Sequence, residues 1–406
     1  MRVLLSTFGS RGDVEPIAAL AAQIQAQGGQ AVVCAPPDPE FAALVDRAGA
    51  TLAPAFTEVR QWIAGALAND PPMDLPTRAA WVLNAQFEAI SQAAEGCEAV
   101  LAAGLFPSTA AARCVAELRG LPFVYGAYCP VFLPSEHHRP FPYPGHPVPA
   151  EILDNRLLWR RDVETMNAVF GGAVNALRER LGLAAVDNVR DHVFTDRPWL
   201  AADPTLSPWA TTDLRDVVQT GAWVLPDDRP LPSPVEAFLQ AGPPPVYLGF
   251  GSMPMQALKT VGQAALQAAR DHGRRLILAH GWAGLDLEAE ADDWIGVGEV
   301  NQQALFGRVA AVVHHGGAGT THAAARAGAP QVVVPQIADQ PYFAGRVAAL
   351  GVGAAHAGAA LTRESLSAAL AVALAPETGA RAAGLAGAMR GDGAAVAAGM
   401  LLEGVG

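Results

Sequence analysis

The sequence predicts an α/β protein of two doubly wound, Rossmann-like domains in tandem. Three observations carry this. Short apolar strands alternate with helix-length intervals along most of the chain. That rhythm breaks at a proline- and acid-rich stretch near residues 203–235 and then restarts. Glycine-rich turns follow several of the strands, where open parallel sheets bind their ligands. A chain of 406 residues is long enough for two or three domains at about 100–200 residues each.

The first element is a buried strand over Arg2–Phe8, followed by the turn Gly9-Ser10-Arg11-Gly12-Asp13. Ile17, Leu20, Ala21 and Ile24 share one helical face, and Gly28-Gly29 stops that helix. Ala31–Ala35 is the next strand, closed by Pro36-Pro37, so the unit is βαβ with a right-handed crossover. Further strands are expected at Ala99–Ala102 and Pro122–Tyr125. Residues 129–149 are too rich in proline for a helix or a central strand. They read either as a wall of an acceptor site or as a surface loop. Beyond the linker, strands are expected at 245–252, 276–279, 295–297, 311–314 and 332–335, and Thr362 is placed to cap a helix running to about Ala375. The domain limits expected are 1–205, a linker at 206–220, a second domain at 221–378, and a helical tail at 379–406. Two such domains are expected to face one another across a cleft.

Composition narrows the function. Hydrophobic residues make up 51% and charged residues 16%, which excludes disorder. Net charge is -12 and Lys259 is the single lysine, so a nucleic-acid partner is not expected. Cys34, Cys97, Cys114 and Cys129 show no metal or redox spacing and read as reduced core thiols of a cytoplasmic protein. The opening apolar run is a strand rather than a signal peptide. No apolar stretch reaches the ~18–20 residues of a membrane span.

The strongest local signal is His314-His315-Gly316-Gly317-Ala318-Gly319-Thr320-Thr321, which follows a strand and opens a helix. Free N–H groups and the positive end of the helix dipole suit a diphosphate, with His315 and Thr320 adding donors. The bland alternative is a glycine turn with satisfied core histidines. Gly249–Ser252 is a second, weaker turn of this kind. Asp339 and Gln340 suit sugar hydroxyls or, equally, the cap of a helix beginning at Pro341. Asp13 is either a helix-dipole partner or a base for a hydroxyl nucleophile. His137, His138 and His146 lack a matched carboxylate and are read as solvent or acceptor contacts. The acidic run Asp286, Glu288, Glu290, Asp292, Asp293 is read as a solvated face.

At Met1–Pro16, Thr195–Pro226 and Gly298–Gly353 the sequence resembles the two-Rossmann-domain (GT-B) glycosyltransferases. Within them it resembles the actinomycete enzymes that glycosylate vancomycin- and teicoplanin-type glycopeptide antibiotics. The resemblance implies an amino-terminal acceptor domain, a carboxy-terminal donor domain, inversion at the sugar C1 and no essential metal. It implies Asp13 as general base. Relatives with other acceptors carry Gly-His-x-x-Pro where this chain reads Gly12-Asp13-Val14-Glu15-Pro16. It implies that Ser10, Gly12, Ser252, His315, Gly317, Gly319 and Thr320 meet the diphosphate, that Asp339 and Gln340 meet the sugar, and that Trp282 and Val300 wall the nucleoside. It further implies a tail that returns to the amino-terminal domain. No cofactor is expected beyond the co-substrate, a UDP- or TDP-linked glucose or N-acetylglucosamine with UDP preferred. The acceptor expected is a glycopeptide aglycone.

Four rival readings stand beside this one. A GT-B enzyme could use a polyketide or sterol acceptor. A nucleotide-sugar epimerase of the same architecture would need no acceptor pocket. A dinucleotide oxidoreductase would want GxGxxG, and Gly9-Ser10-Arg11-Gly12 does not fit it. A non-catalytic sugar-nucleotide binder would have no use for Asp13.

Overall fold

The structure is a computed structural model and describes residues 1–62, 73–252, 258–282, 284–287, 291–358 and 360–404. Glu288 and Glu290 of the acidic run lie outside the described residues. The chain forms two compact units. The first is Met1–Asp203, Pro208–Leu225 and Arg390–Gly406; the second is Pro204–Ser207 and Pro226–Met389.

The first unit is a seven-stranded sheet in the order β3-β2-β1-β4-β5-β6-β7. Its strands are β1 (Arg2–Phe8), β2 (Gln30–Ala35), β3 (Thr51–Pro54), β4 (Ala99–Gly104), β5 (Phe123–Ala127), β6 (Trp199–Leu200) and β7 (Val218–Gln219). All neighbouring pairs run parallel. Helices cover both faces of such a sheet, so a central strand needs an unbroken apolar run, and β1 buries six of its seven residues. The helix Arg11–Ala26 buries Ile17, Leu20, Ala21 and Ile24, the face expected from their spacing. Gly28, at φ +82°, follows its end.

The second unit is a six-stranded parallel sheet in the order β10-β9-β8-β11-β12-β13. Its strands are β8 (Val246–Gly249), β9 (Leu276–Ala279), β10 (Trp294–Val297), β11 (Ala311–His314), β12 (Gln331–Val333) and β13 (Gly353–Ala355). Thr362 caps the helix Arg363–Ala373, its hydroxyl accepting from the Ser365 N–H at 3.1 Å. Among the described residues, no helix is long and apolar enough to cross a membrane. The four cysteines are free and buried, and burial pushes the Cys34 thiol up to about 12.

The unit limits differ from those expected. The segment 208–225, read as linker and start of the second domain, belongs to the first unit. β7 extends the first sheet, and the Trp223 ring stands edge-on to Tyr128 at 6.2 Å, its indole N–H donating to Thr220 Oγ1 at 3.0 Å. Pro204–Ser207 belongs to the second unit. Leu206 is buried against Ala325, Val333 and Leu385, and Ser207 Oγ donates to Tyr342 Oη at 3.0 Å. The tail also divides later than expected. The helix Pro376–Ala388 stays with the second unit through buried Ala382 and Leu385. The return comes after Met389. The Arg390 N–H donates to Asp203 Oδ2 at 2.8 Å, and the helix Gly393–Leu402 packs on Arg11–Ala26, with Gln27 Nε2 donating to the Ala395 carbonyl at 2.9 Å.

Candidate active site

An open parallel sheet binds ligands outside the carboxyl ends of its strands, at the point where strand order reverses. In the first sheet that point lies between β1 and β4. Asp13 stands there, in the third position of the helix Arg11–Ala26. Its Oδ2 accepts the Ser10 N–H at 2.8 Å, one of the free N–H groups at a helix start. The expected dipole partner is therefore real, and it leaves the second carboxylate oxygen outside that bond. Two glycines make room for the carboxylate. A Cβ at Gly9 would lie 2.1 Å from Asp13 Oδ2, and one at Gly104, φ +94°, would lie 3.3 Å from Oδ1. Pro16 sits in the helix without an N–H to give back to Gly12. The first turn is also tied from just beyond β5, where Tyr128 Oη donates to the Asp13 carbonyl at 3.0 Å. Burial, with the Asp13 charge adding to it, holds the Tyr128 hydroxyl well above the ordinary tyrosine range. Ser10 is the helix N-cap residue, and Gly12 is exposed with only Ser10 Oγ near a Cβ position.

In the second sheet the order reverses between β8 and β11. Four strand-end turns meet there. Gly251, φ +55°, follows β8, and a Cβ on it would touch His315 Cε1 at 3.6 Å. The Trp282 N–H, beyond β9, donates to the Gly251 carbonyl at 2.9 Å. Gly316, φ +94°, is pressed against β12 and the next turn: a Cβ there would lie 2.7 Å from Val333 Cγ1 and 3.1 Å from the Gln340 carbonyl oxygen. Gly317 caps the helix Ala318–Arg326, and His315 lies over it, with Nε2 at 2.6 Å from a Gly317 Cβ position. Gly319 is exposed, with nothing within 4 Å of its Cβ position. Thr320 and Ser252 are half-buried beside these turns. The N–H groups of the first helical turn have no partner within the helix, the arrangement that suits an anion.

The two histidines divide the work. His314 is fully buried, paired through Nε2 with Gln331 Oε1 at 2.9 Å and accepting the Gly316 N–H on Nδ1 at 3.1 Å. Burial lowers it to about 3, so it is a neutral core residue, as the bland reading had it. His315 is lowered by burial to about 4, and its Nδ1 has no hydrogen-bond partner among the described residues. It offers neutral-imidazole hydrogen bonding rather than positive charge.

Asp339 and Gln340 also separate. Gln340 Oε1 accepts the N–H groups of Gln336 and Ile337 at 2.7 and 3.1 Å, so its carbonyl shapes the turn instead of standing open to a sugar. Asp339 occupies the N-cap position of the helix Gln340–Ala349, but its side chain makes no capping bond. Burial raises its carboxyl to about 6. The residue before it, Ala338, has φ +58°, a strained backbone for a residue with a Cβ. Trp282 is half-buried at the same cluster of turns. Val300 is not available as a wall: its side chain is packed in the core with Tyr247, Ile277 and Phe306.

The 129–149 segment is pinned to the first unit. His138 Nε2 bonds the Leu133 carbonyl at 2.9 Å, Trp159 Nε1 donates to the His138 carbonyl at 3.0 Å, and Tyr143 packs edge-on to Phe170 at 5.7 Å. His137 bonds the Thr211 carbonyl through Nε2 at 3.1 Å while staying exposed, so it keeps the solvent contact expected of it, whereas His138 is turned inward. Sequence reasoning missed Gly104, Tyr128 and Ala338. An isolated Gly after an apolar run was the one signal for Gly104; the other two carry none.

Two Rossmann-like units, each with its residues gathered at a topological switch point, define the GT-B class of glycosyltransferases. Solved structures agree on the fold: the glycotransferase of kitacinnamycin matches with a TM-score of 0.73 at 21% identity, over 99% of this chain and 98% of that one. Residues 267–396 match the family model described as erythromycin biosynthesis protein CIII-like, C-terminal domain. The glycosyltransferase GtfE of Amycolatopsis orientalis is 50% identical over 100% of this chain and 98% of its own length. The vancomycin aglycone glucosyltransferase of the same organism is also 50% identical, with the same coverage. The chain belongs to the vancomycin-type glycopeptide glycosyltransferases.

Proposed function

We propose that this enzyme transfers glucose or N-acetylglucosamine, with inversion, from a UDP-linked donor to a hydroxyl of a vancomycin-type aglycone. The observation that carries the chemistry is Asp13, a carboxylate oriented by the Ser10 N–H at the switch point of the first sheet. The acceptor hydroxyl binds the first unit. As its oxygen attacks the sugar C1, its proton passes to Asp13, the C1–O bond to the diphosphate breaks on the opposite face, and the electron pair leaves with the diphosphate. An acceptor phenol has a pKa near 10 by analogy with tyrosine, so the base matters. The N–H groups after β11, with Thr320 and neutral His315, take up the departing charge. Asp339 accepts hydrogen bonds from sugar hydroxyls, and Trp282 borders the nucleoside. No metal or other cofactor enters this reading. The buried, reduced thiols support a cytoplasmic enzyme.

The test is a donor panel. The enzyme is incubated with vancomycin aglycone and, separately, UDP-glucose, UDP-N-acetylglucosamine and a TDP-deoxysugar, and the aglycone is followed by mass spectrometry. A hexose or N-acetylhexosamine gain supports the reading and names the donor. Gain only from the TDP-deoxysugar overturns the donor assignment, and no gain from any donor overturns the acceptor assignment.

A further inference from the structure

Thr7 is fully buried near the carboxyl end of β1, and its hydroxyl has no hydrogen-bond partner among the described residues. Buried hydroxyls are paired in the great majority of cases, so an orphan asks for a cause. Its surroundings supply one. Gly104, paired with Phe8 across β1 and β4, has φ +94° and no side chain. The point where its Cβ would stand lies 2.9 Å from Thr7 Oγ1, 3.2 Å from the Phe8 carbonyl oxygen and 3.3 Å from Asp13 Oδ1. Three oxygens thus surround one bare glycine. Asp13 Oδ2 accepts the Ser10 N–H, and Oδ1 is the carboxylate oxygen that shares the Gly104 position with Thr7 Oγ1.

We propose that Thr7 is a positioning residue for Asp13: its hydroxyl reaches Asp13 Oδ1 through one bridging water and fixes the plane of the carboxylate. The proposal rests on the reading of Asp13 as the base. A hydroxyl both donates and accepts, so Thr7 serves the carboxylate before proton transfer and the carboxylic acid after it. Donation to the charged form also keeps Asp13 ionised at lower pH. Among the described residues, the ionisable groups facing this spot include Tyr128 and, behind it, Tyr125, both held neutral by burial. On the same helix, Arg11 and Glu15 pair with each other at 2.7 Å. β4 and the first turn of the helix Phe106–Arg119 contribute no ionisable side chain.

The experiment compares Thr7→Val, which keeps the shape and removes the hydroxyl, with Thr7→Ser, which keeps the hydroxyl. The readout is the pH profile of kcat/KM for transfer, with thermal melts confirming the fold. Thr7→Val is expected to lower kcat roughly tenfold and to move the acid limb upward by about 0.5–1 pH unit. The donor KM should stay unchanged and Thr7→Ser should restore the wild-type profile. A Thr7→Val profile that overlays the wild type overturns the proposal, and so does a Thr7→Ser variant as impaired as Thr7→Val. Should Thr7→Val not fold, Thr7→Ala against Thr7→Ser poses the same question. Asp13→Asn, run alongside, separates the two claims. Lost transfer in Asp13→Asn with a normal Thr7→Val removes only the role of Thr7, whereas full transfer in Asp13→Asn removes the base itself.

Discussion

The burial of Asp339 weighs on the resting enzyme. Burial raises its carboxyl to about 6, above the ordinary carboxylate value of about 3.9. The folded state therefore holds this proton more tightly than the unfolded chain. The stability this confers is full below about pH 4 and is lost as pH rises through 6. At neutral pH the ionised carboxylate weighs against the free enzyme, a cost that sugar hydroxyls donating to it, as proposed, would relieve. Donor affinity is thus expected to rise as pH goes from 5 to 7. Calorimetric titration with UDP-glucose at both pH values checks this, with Asp339→Asn as the comparison. The variant should lose the pH dependence, bind donor more weakly, and melt at a higher temperature without ligand at pH 7. A variant that keeps the pH dependence would locate its source elsewhere.

The residue scale is also where the sequence was least legible. Asp13 and the 314–321 turn could be picked out because local signals agree: an apolar strand, glycines and a helix start. Thr7, Gly104 and Tyr128 could not, because they gather around Asp13 only through the pairing of β1 with β4 and of β4 with β5. Gln340 looked like a sugar ligand because nothing local shows that its carbonyl turns back onto Gln336 and Ile337.

At the scale of an element, the turn after β11 makes two glycines in one motif unequal. A Cβ on Gly317 would strike His315 at 2.6 Å, whereas Gly319 has open space around it. Gly317→Ala is therefore expected to displace the imidazole, lower the melting temperature and weaken donor binding at least tenfold. Gly319→Ala should stabilise the helix Ala318–Arg326 by roughly 0.5–1 kcal/mol, while its methyl crowds the diphosphate and raises donor KM. Melting curves and donor titrations of the pair check this, and Gly319→Ala with unchanged donor binding would mean the diphosphate lies away from that helix start. Elements of this kind were legible where a buried strand needs an unbroken apolar run, as in β1, β9 and β11. β6 and β7 were not, since two-residue strands leave no pattern and the stretch holding β7 read as linker.

At the scale of the whole chain, the fold class was legible because the βα rhythm states it twice, but the unit limits were not. They depend on long-range packing: Leu206 against Ala325, Trp223 against Tyr128, and the last helix against the first. That helix buries Ala394, Ala397, Ala398 and Leu401. Ending the chain after Met389 is expected to lower the melting temperature of the first unit while the second still binds UDP. Calorimetry with and without UDP checks this, and an unchanged first-unit melt would make the tail a passive appendage.

The central claim is that Asp13 takes the acceptor proton. Asp13→Asn keeps the size of the side chain and its bond from the Ser10 N–H while removing the base. Rate of transfer to the aglycone and donor affinity should be measured together in this variant. A loss of transfer of about 10²–10⁴-fold with donor affinity unchanged is expected. Transfer at the wild-type rate would contradict the claim.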